Sequence, residues 1–348
     1  MRGRVVLGLL IALATSLAVN ATSQTAVPTP VQEESRPTFA EWLAGVRAEA
    51  IERGIREEIV DQALRTVEAP LPVVIERDRT QAELVQPLEA YLSRRLTPAI
   101  VRTGRQMAAK HRTLLGRIST RYGVSPALLV AVWGAESNFG RFSGVHPTVT
   151  ALTTLAFDPR RPTLFRKELF SALEILNRGD IELARMRGSW AGAMGQPQFM
   201  PSSYLQYAED FDGDGDRDIW GSPADVFASI ANYLKGYGWT AGERWGREVR
   251  LPSHVAEPVA AGMAPRAGTC RAAREMNGPL PLDEWQRLGV RLTNGAALPK
   301  ADMNASLVSG SSRHFLVYDN YEALLSYNCA HSYALGVALL SDRVAAGR

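Results

Sequence analysis

The sequence predicts an α+β protein that is predominantly α-helical, with a small β-containing insertion. Three observations predict it. Thr-Pro and Ser-Pro pairs, which cap and open helices, stand at Thr97-Pro98, Ser125-Pro126 and Ser222-Pro223. Apolar residues at helical spacing follow them. From Glu243 to about Val317 that spacing gives way to short apolar runs broken by Gly and Pro. The 348 residues are 46% hydrophobic and 22% charged, ordinary for a globular chain of roughly two or three structural units. The net charge of +3, from 39 basic and 36 acidic residues, comes without a dense Lys/Arg run, so no nucleic-acid partner is expected.

The chain start reads as a signal peptide over residues 1–21. Arg2 and Arg4 precede the apolar run Val5 to Val19, and small residues follow near Ala18 and Ala21. An uncleaved anchor is the alternative, but the run is shorter than the roughly 20 residues of a spanning helix. No cysteine nearby offers a lipoprotein anchor, so the mature protein is expected soluble in the periplasm. Residues 22–37, rich in Thr, Pro, Ser, Gln and Glu, read as a disordered linker. Cys270 and Cys329 form one disulfide or remain two buried thiols; both readings stand. They lack the CxxC or HExxH spacing of a metal site.

Residues 38–118 form an N-terminal helical region. Thr38 and Glu41 make a capping box, Ile55 to Val67 offers an apolar face, and Pro70 and Pro72 end that helix. Thr97-Pro98 opens a long helix toward Tyr122, stopped by Gly123. Within a core of residues 119–242, Ser125-Pro126 opens the next helix. Leu164 to Asn177 is another, ending at Gly179, and the Ser222-Pro223 helix carries Val226, Phe227, Ile230 and Leu234. In the β-containing segment, 243–318, Arg247 to Leu251 and His314 to Tyr318 are expected strands. Residues 319–348 return to helix over Tyr321 to Ala345.

One acid stands out. Leu129, Val132, Trp133 and Glu136 fall at i, i+3, i+4 and i+7, so the carboxylate shares an apolar helix face near the helix end. Lost hydration and the negative end of the helix dipole both disfavour the charged form. A general acid for glycosidic oxygen needs that bias. The competing reading is a helix-end Glu turned to solvent or paired with Arg141.

The stretch Leu128 to Gly140 resembles the Glu-bearing helix of the membrane-bound lytic murein transglycosylase B family, whose fold is lysozyme-like. Gly188-Ser189-Trp190-Ala191-Gly192-Ala193-Met194-Gly195 and Gln198-Phe199-Met200-Pro201-Ser202-Ser203-Tyr204 are similar to its most distinctive block. Ala231-Asn232-Tyr233, Gly238-Trp239, and Tyr327-Asn328 with Tyr333 also fit. The resemblance covers essentially the whole mature chain. It implies a lyase that cleaves the MurNAc-β-1,4-GlcNAc bond of peptidoglycan without water, leaving 1,6-anhydro-MurNAc ends. One carboxyl group can serve such a reaction as both acid and base, an exception to the paired-carboxylate rule.

By motif position, Ser189, Gln198, Tyr233, Tyr327, Asn328 and Tyr333 would line the sugar groove, where hydroxyl and amide groups can read sugars. Ser189 could instead cap a turn and Gln198 satisfy backbone. Tyr327 and Tyr333, six apart, do not share one helical face. The family more often has Ser two positions after Tyr327-Asn328; here Cys329-Ala330-His331 intervenes. Trp133, Trp190, Trp220 and Trp239 read as core more than as stacking platforms, and His146 receives no role.

Asp210, Asp212, Asp214, Asp216 and Asp218 alternate around Gly213 and Gly215 like the first half of an EF-hand loop. Position 12 is Gly221 in place of the usual Glu. Asp225 is the next acid, and the resemblance includes a site closed by a late acid. A structural Ca2+ held by Asp210, Asp212, Asp214, Asp216 and Asp225 is expected, against an Asx-turn loop; no organic cofactor is expected. The leading function is a lytic transglycosylase acting on glycan strands. A hydrolytic lysozyme-like muramidase and a non-catalytic, calcium-dependent peptidoglycan-binding module are the alternatives. Partners among cell-wall synthesis or division proteins are not readable from the residues.

Overall fold

A computed structural model describes residues 37–80, 86–252, 255 and 270–346. The expected signal peptide, and all of the linker but Pro37, lie outside the described residues. The capping box forms as expected at α1 (Phe39–Glu52). Thr38 Oγ accepts from the Glu41 N–H, and the Glu41 carboxylate accepts from the Thr38 N–H. Helix α2 (Glu57–Leu64) is shorter than the expected Ile55–Val67 span. Pro72, expected only to end that helix, also opens α3 (Pro72–Arg79), because its fixed φ suits a first turn.

After α4 (Leu88–Arg95), Thr97 caps α5 (Pro98–Lys110) through the Ile100 N–H. The expected long helix to Tyr122 is broken at His111 and resumes as α6 (Arg112–Tyr122). The break coincides with a tertiary contact. The His111 ring stands edge-on to Trp133 and Phe227, with centroids 5.9 and 5.5 Å apart. Ser125 caps α7 (Pro126–Ser137). There follow β1 (His146–Pro147), α8 (Thr148–Phe157), α9 (Pro162–Arg178), β2 (Arg187–Gly188), α10 (Pro201–Tyr207) and α11 (Pro223–Gly236).

The insertion contains β3 (Gly246–Arg250), α12 (Arg271–Arg274), β4 (Asn277–Pro281), α13 (Leu282–Arg287), β5 (Arg291–Leu292), β6 (Asn304–Ser309) and β7 (His314–Val317). Its strands pair antiparallel in the order β4-β6-β7-β3-β5. Strands β3 and β7 stand where the sequence placed them. Strand β6 was not expected; its Ala305 to Val308 are all buried, the polar Ser306 included. Ala305 and Leu307 pack with the fully buried Trp285, while Val308 joins the main core.

The chain then returns as α14 (Asp319–Tyr327) and α15 (His331–Ala345), bent by 116° where one helical run was expected. Cys329, in that bend, is disulfide-bonded to Cys270, which settles the open alternative. Among the described residues, no single helix is long and apolar enough to cross a membrane.

Helix α7 is the hub. A single apolar face was expected, yet every residue from Ala127 to Trp133 is buried, because α5, α6, α11 and α15 all pack around it. One apolar cluster runs from Tyr91 through α7 to Val344. A second joins α1, α2, α8 and α9 to Met194, Phe199 and Tyr233. The described residues from Thr38 onward thus pack as one unit, and Tyr327 touches both clusters at their seam.

The disulfide joins residues 59 apart in sequence, and closing a loop of that length contributes about 4 kcal/mol through the entropy of the unfolded chain. A Cys270→Ser/Cys329→Ser variant should unfold at lower urea concentration than the oxidised protein. A reducing agent should move the parent to the same midpoint and leave the variant unmoved.

Candidate active site

The apolar run of α7 draws the helix into the core, and only its last turn emerges. Gly134, Ala135 and Glu136 are half-buried there. The helix stops at once because Asn138 and Phe139 both adopt left-handed backbone, φ 50° and 59°. For non-glycine residues that conformation is costly and persists only under surrounding constraint. Phe139 supplies the constraint by folding back onto Gly134, where a Cβ would lie 2.6 Å from the ring. Ser137 Oγ, also buried, donates to the Trp133 carbonyl and accepts from the Gly140 N–H, both at 3.0 Å. Glu136 therefore sits on a fixed helix end.

Its carboxylate accepts a short hydrogen bond from the Tyr333 phenol, in the first turn of α15. The bend between α14 and α15 makes this contact. It also stacks Tyr327 on Tyr333 with centroids 6.3 Å apart and planes 18° from parallel, although a separation of six positions argued against a shared face. Tyr233 of α11 packs on Tyr327 at 4.7 Å. Burial raises all three phenols above the ordinary tyrosine range, and the charge of Glu136 adds to the rise. They remain neutral hydrogen-bond donors.

The other sequence-selected residues divide by what their polar atoms touch. Tyr233 donates to the Ser326 carbonyl at 2.6 Å and Tyr327 to the Pro197 carbonyl at 2.8 Å, so both lock backbone around Glu136. Ser189 Oγ accepts from the Ala191 and Ala193 N–H groups at 3.2 and 3.1 Å, capping the turn of the Gly-rich block. Gln198, itself left-handed at φ 54°, donates to the Gly195 and Ser143 carbonyls at 2.8 and 3.3 Å. This ties the block to the loop after α7. Asn328 is exposed at the end of α14. Trp133 is core, Trp190, Trp220 and Trp239 are half-buried, and His146 begins β1.

A cleft of about 290 Å³ opens beside the Glu136 turn, lined in part by Tyr91, Arg95, Asn138, Phe142 and Tyr333. Sequence reasoning missed Tyr91 and Phe142. Tyr91 comes from α4, 45 positions before Glu136, with no motif around it. Phe142 is 67% exposed, unusual for so large an apolar ring.

In the aspartate loop, carboxylate oxygens of Asp210, Asp212 and Asp214 lie within 4.8 Å of one another. Asp216 stands outside that group. Asp225 is buried and spends its oxygens on the Phe211 and Asp218 N–H groups, at 2.8 and 2.9 Å. Burial pushes Asp225 up to about 6. Its two backbone hydrogen bonds oppose that rise, and the charges of Asp212 and Asp210 add to it. Three hard oxygen donors thus converge while Asp225 clamps the loop ends, an arrangement that suits a divalent cation.

A family described as the transglycosylase SLT domain matches residues 38–342. The chain belongs to the SLT transglycosylase family. It is 32% identical over 270 residues to membrane-bound lytic murein transglycosylase B of Escherichia coli K12, covering 74% of this chain and 67% of that one. Among solved structures, SltB3 of Pseudomonas aeruginosa in complex with NAG-anhNAM-pentapeptide is similar at 43% identity and a TM-score of 0.80. That match covers 90% of this chain and 81% of SltB3. Slt35 of Escherichia coli in complex with calcium is 27% identical with a TM-score of 0.73, covering 91% and 95%. The SLT member described here is accordingly an enzyme of the lytic transglycosylase class, with the mostly helical, lysozyme-like fold that the resemblance implied.

Tyr333→Phe keeps the ring and removes the donor to Glu136. Turnover should fall about tenfold or more, as when a preorganised donor is lost, with little change in the thermal midpoint. Wild-type rates of muropeptide release from this variant would show that the contact is dispensable.

Proposed function

We propose that this SLT transglycosylase cleaves the MurNAc-β-1,4-GlcNAc bond of peptidoglycan glycan strands without water, with Glu136 as its single general acid/base. The observation that carries this reading is the Glu136 carboxyl, fixed on the last turn of α7 by Tyr333 beside an open cleft. Protonated Glu136 gives its proton to the departing glycosidic oxygen as the C1–O bond breaks. The resulting carboxylate takes the proton of the muramyl C6 hydroxyl as that oxygen bonds to C1. The 1,6-anhydro end forms and the enzyme recovers its proton. The neutral Tyr333 phenol donates to the carboxylate while it is charged, which stabilises the state between the two transfers. Tyr233 and Tyr327 hold the surrounding backbone, and Asn328 stands exposed to meet substrate. Ser189 and Gln198 shape the groove wall.

The SltB3 complex with an anhydro-muramyl ligand favours the non-hydrolytic route over the muramidase alternative. The preorganised carboxyl group disfavours a purely binding module. Such a substrate places the enzyme in the cell envelope, and export through residues 1–21 to the periplasm agrees with it. For the aspartate loop we favour a structural Ca2+ held by Asp210, Asp212 and Asp214, supported by Asp225, in line with the calcium complex of Slt35. A bound cation would neutralise the loop carboxylates that repel one another.

Glu136→Gln should abolish release of muropeptides from purified sacculi while leaving sacculus binding intact. Mass analysis of wild-type products should show 1,6-anhydro ends. Reducing ends would overturn the non-hydrolytic route, and an active Glu136→Gln would overturn the assignment of the acid. The loop supplies a second expectation. The folded state holds the Asp225 proton more tightly than the ordinary carboxylate value of about 4, so its contribution to stability is lost as pH rises through that value to about 6. Chelated protein should therefore show a thermal midpoint that declines across this window. Added calcium should restore it most at neutral pH; a midpoint indifferent to calcium would argue for a metal-free loop.

A further inference from the structure

Gln196, between the two halves of the Gly-rich block, makes three hydrogen bonds to segments that never meet in sequence. Its backbone N–H donates to the Ile219 carbonyl at 2.9 Å. Its side-chain amide donates to the Trp220 carbonyl at 2.6 Å, and its side-chain oxygen accepts from the Trp133 indole N–H at 2.7 Å. Trp133 lies one helical turn before Glu136 and is 5% exposed, wedged edge-on against Phe139, Phe227 and His111. The bond ties the rotation of α7 about its axis to the position of Gln196. The turn that ends the helix passes directly over the bond. Gly140, at φ 79°, has no room for a side chain, since a Cβ there would meet the Gln196 side-chain oxygen at 2.7 Å and the Trp133 ring at 2.9 Å. Ile219 and Trp220 close the aspartate loop, so Gln196 joins that loop, the Gly-rich block and α7 at one point.

We infer that Gln196 is a positioning residue for the reaction, setting the rotation and height of Glu136 through the Trp133 indole; the inference rests on Glu136 being the catalytic acid. Both polar atoms of the side chain are engaged inside the protein, the oxygen with Trp133 and the nitrogen with Trp220. Its effect is geometric. A displacement of about 1 Å at a reacting group costs on the order of a hundredfold in rate, so even partial slack in α7 reaches turnover before it reaches the fold.

The test compares Gln196→Ala, Gln196→Glu and Trp133→Phe with the parent and Glu136→Gln on soluble glycan strands, each well below its own thermal midpoint. Gln196→Ala should lower kcat about tenfold to a hundredfold with KM within about twofold. Combining it with Trp133→Phe should add little to the loss in kcat, because Gln196→Ala already removes the Trp133–Gln196 bond along with the bond to Trp220. The Gln196→Glu variant supplies a pH readout. Its carboxyl can donate to Trp220 and accept from Trp133 only while protonated, so its kcat relative to the parent should climb as pH falls through the carboxylate range. A parent-like kcat in Gln196→Ala, a loss confined to KM, or a ratio flat with pH would each overturn the positioning role. Activity retained in Glu136→Gln would instead overturn the reading of the acid beneath it.

Discussion

The hydrogen bond from Tyr333 to Glu136 spans 197 positions of sequence, and the arrangement of the molecule follows from what is needed to make it. Helix α15 must lie along α7, its first turn must face the last turn of α7, and the chain must reverse sharply between α14 and α15. The 116° bend meets the last condition, and packing around a helix buried on all sides meets the others. In the proposed mechanism the carboxyl group passes through both protonation states, and it gains from a partner that is always a donor. Burial keeps the Tyr333 phenol in that state.

The residues that surround Glu136 show how the site is kept rigid. Tyr233, Tyr327, Ser189 and Gln198 all direct polar atoms at backbone groups, each of which would be costly to bury alone. Left-handed backbone at Asn138, Phe139 and Gln198 gathers in the same small volume. Strain of this kind survives where neighbouring structure over-determines it, and two apolar clusters meeting at Tyr327 provide that support. The polar residues of the motif block therefore act through shape as much as through direct contact.

Two devices at the margins reach the same centre. Ile219 and Trp220, at the close of the aspartate loop, receive the Gln196 bonds, so the order of that loop bears on α7. The Cys270–Cys329 bridge fastens α12 to the bend that carries Tyr327 on one side and Tyr333 on the other. Neither device touches the carboxyl group. Both limit how far its supports can move.

Local chemistry was legible without coordinates. Thr38, Thr97, Ser125 and Ser222 cap the helices they were expected to cap, and Glu136 stood out because an acid in an apolar helix run breaks the pattern around it. Strand β6 was missed although Met303 to Leu307 alternate apolar and polar, a short run inside a Gly- and Pro-rich segment. The break at His111 was silent in the sequence, and the rings it meets there, Trp133 and Phe227, belong to other helices. The pairing of the cysteines, the stacking of Tyr327 on Tyr333, the role of Gln196 and the divided duties of the five aspartates likewise depended on which segments pack together. Caps, periods and turns arise from interactions within a few residues, so the sequence by itself determined the capped helix starts, the presence of a small β region and the place of Glu136 in an apolar helix run. Which side chain meets which between separate segments depends on how whole helices pack around α7, and only the tertiary structure decided that.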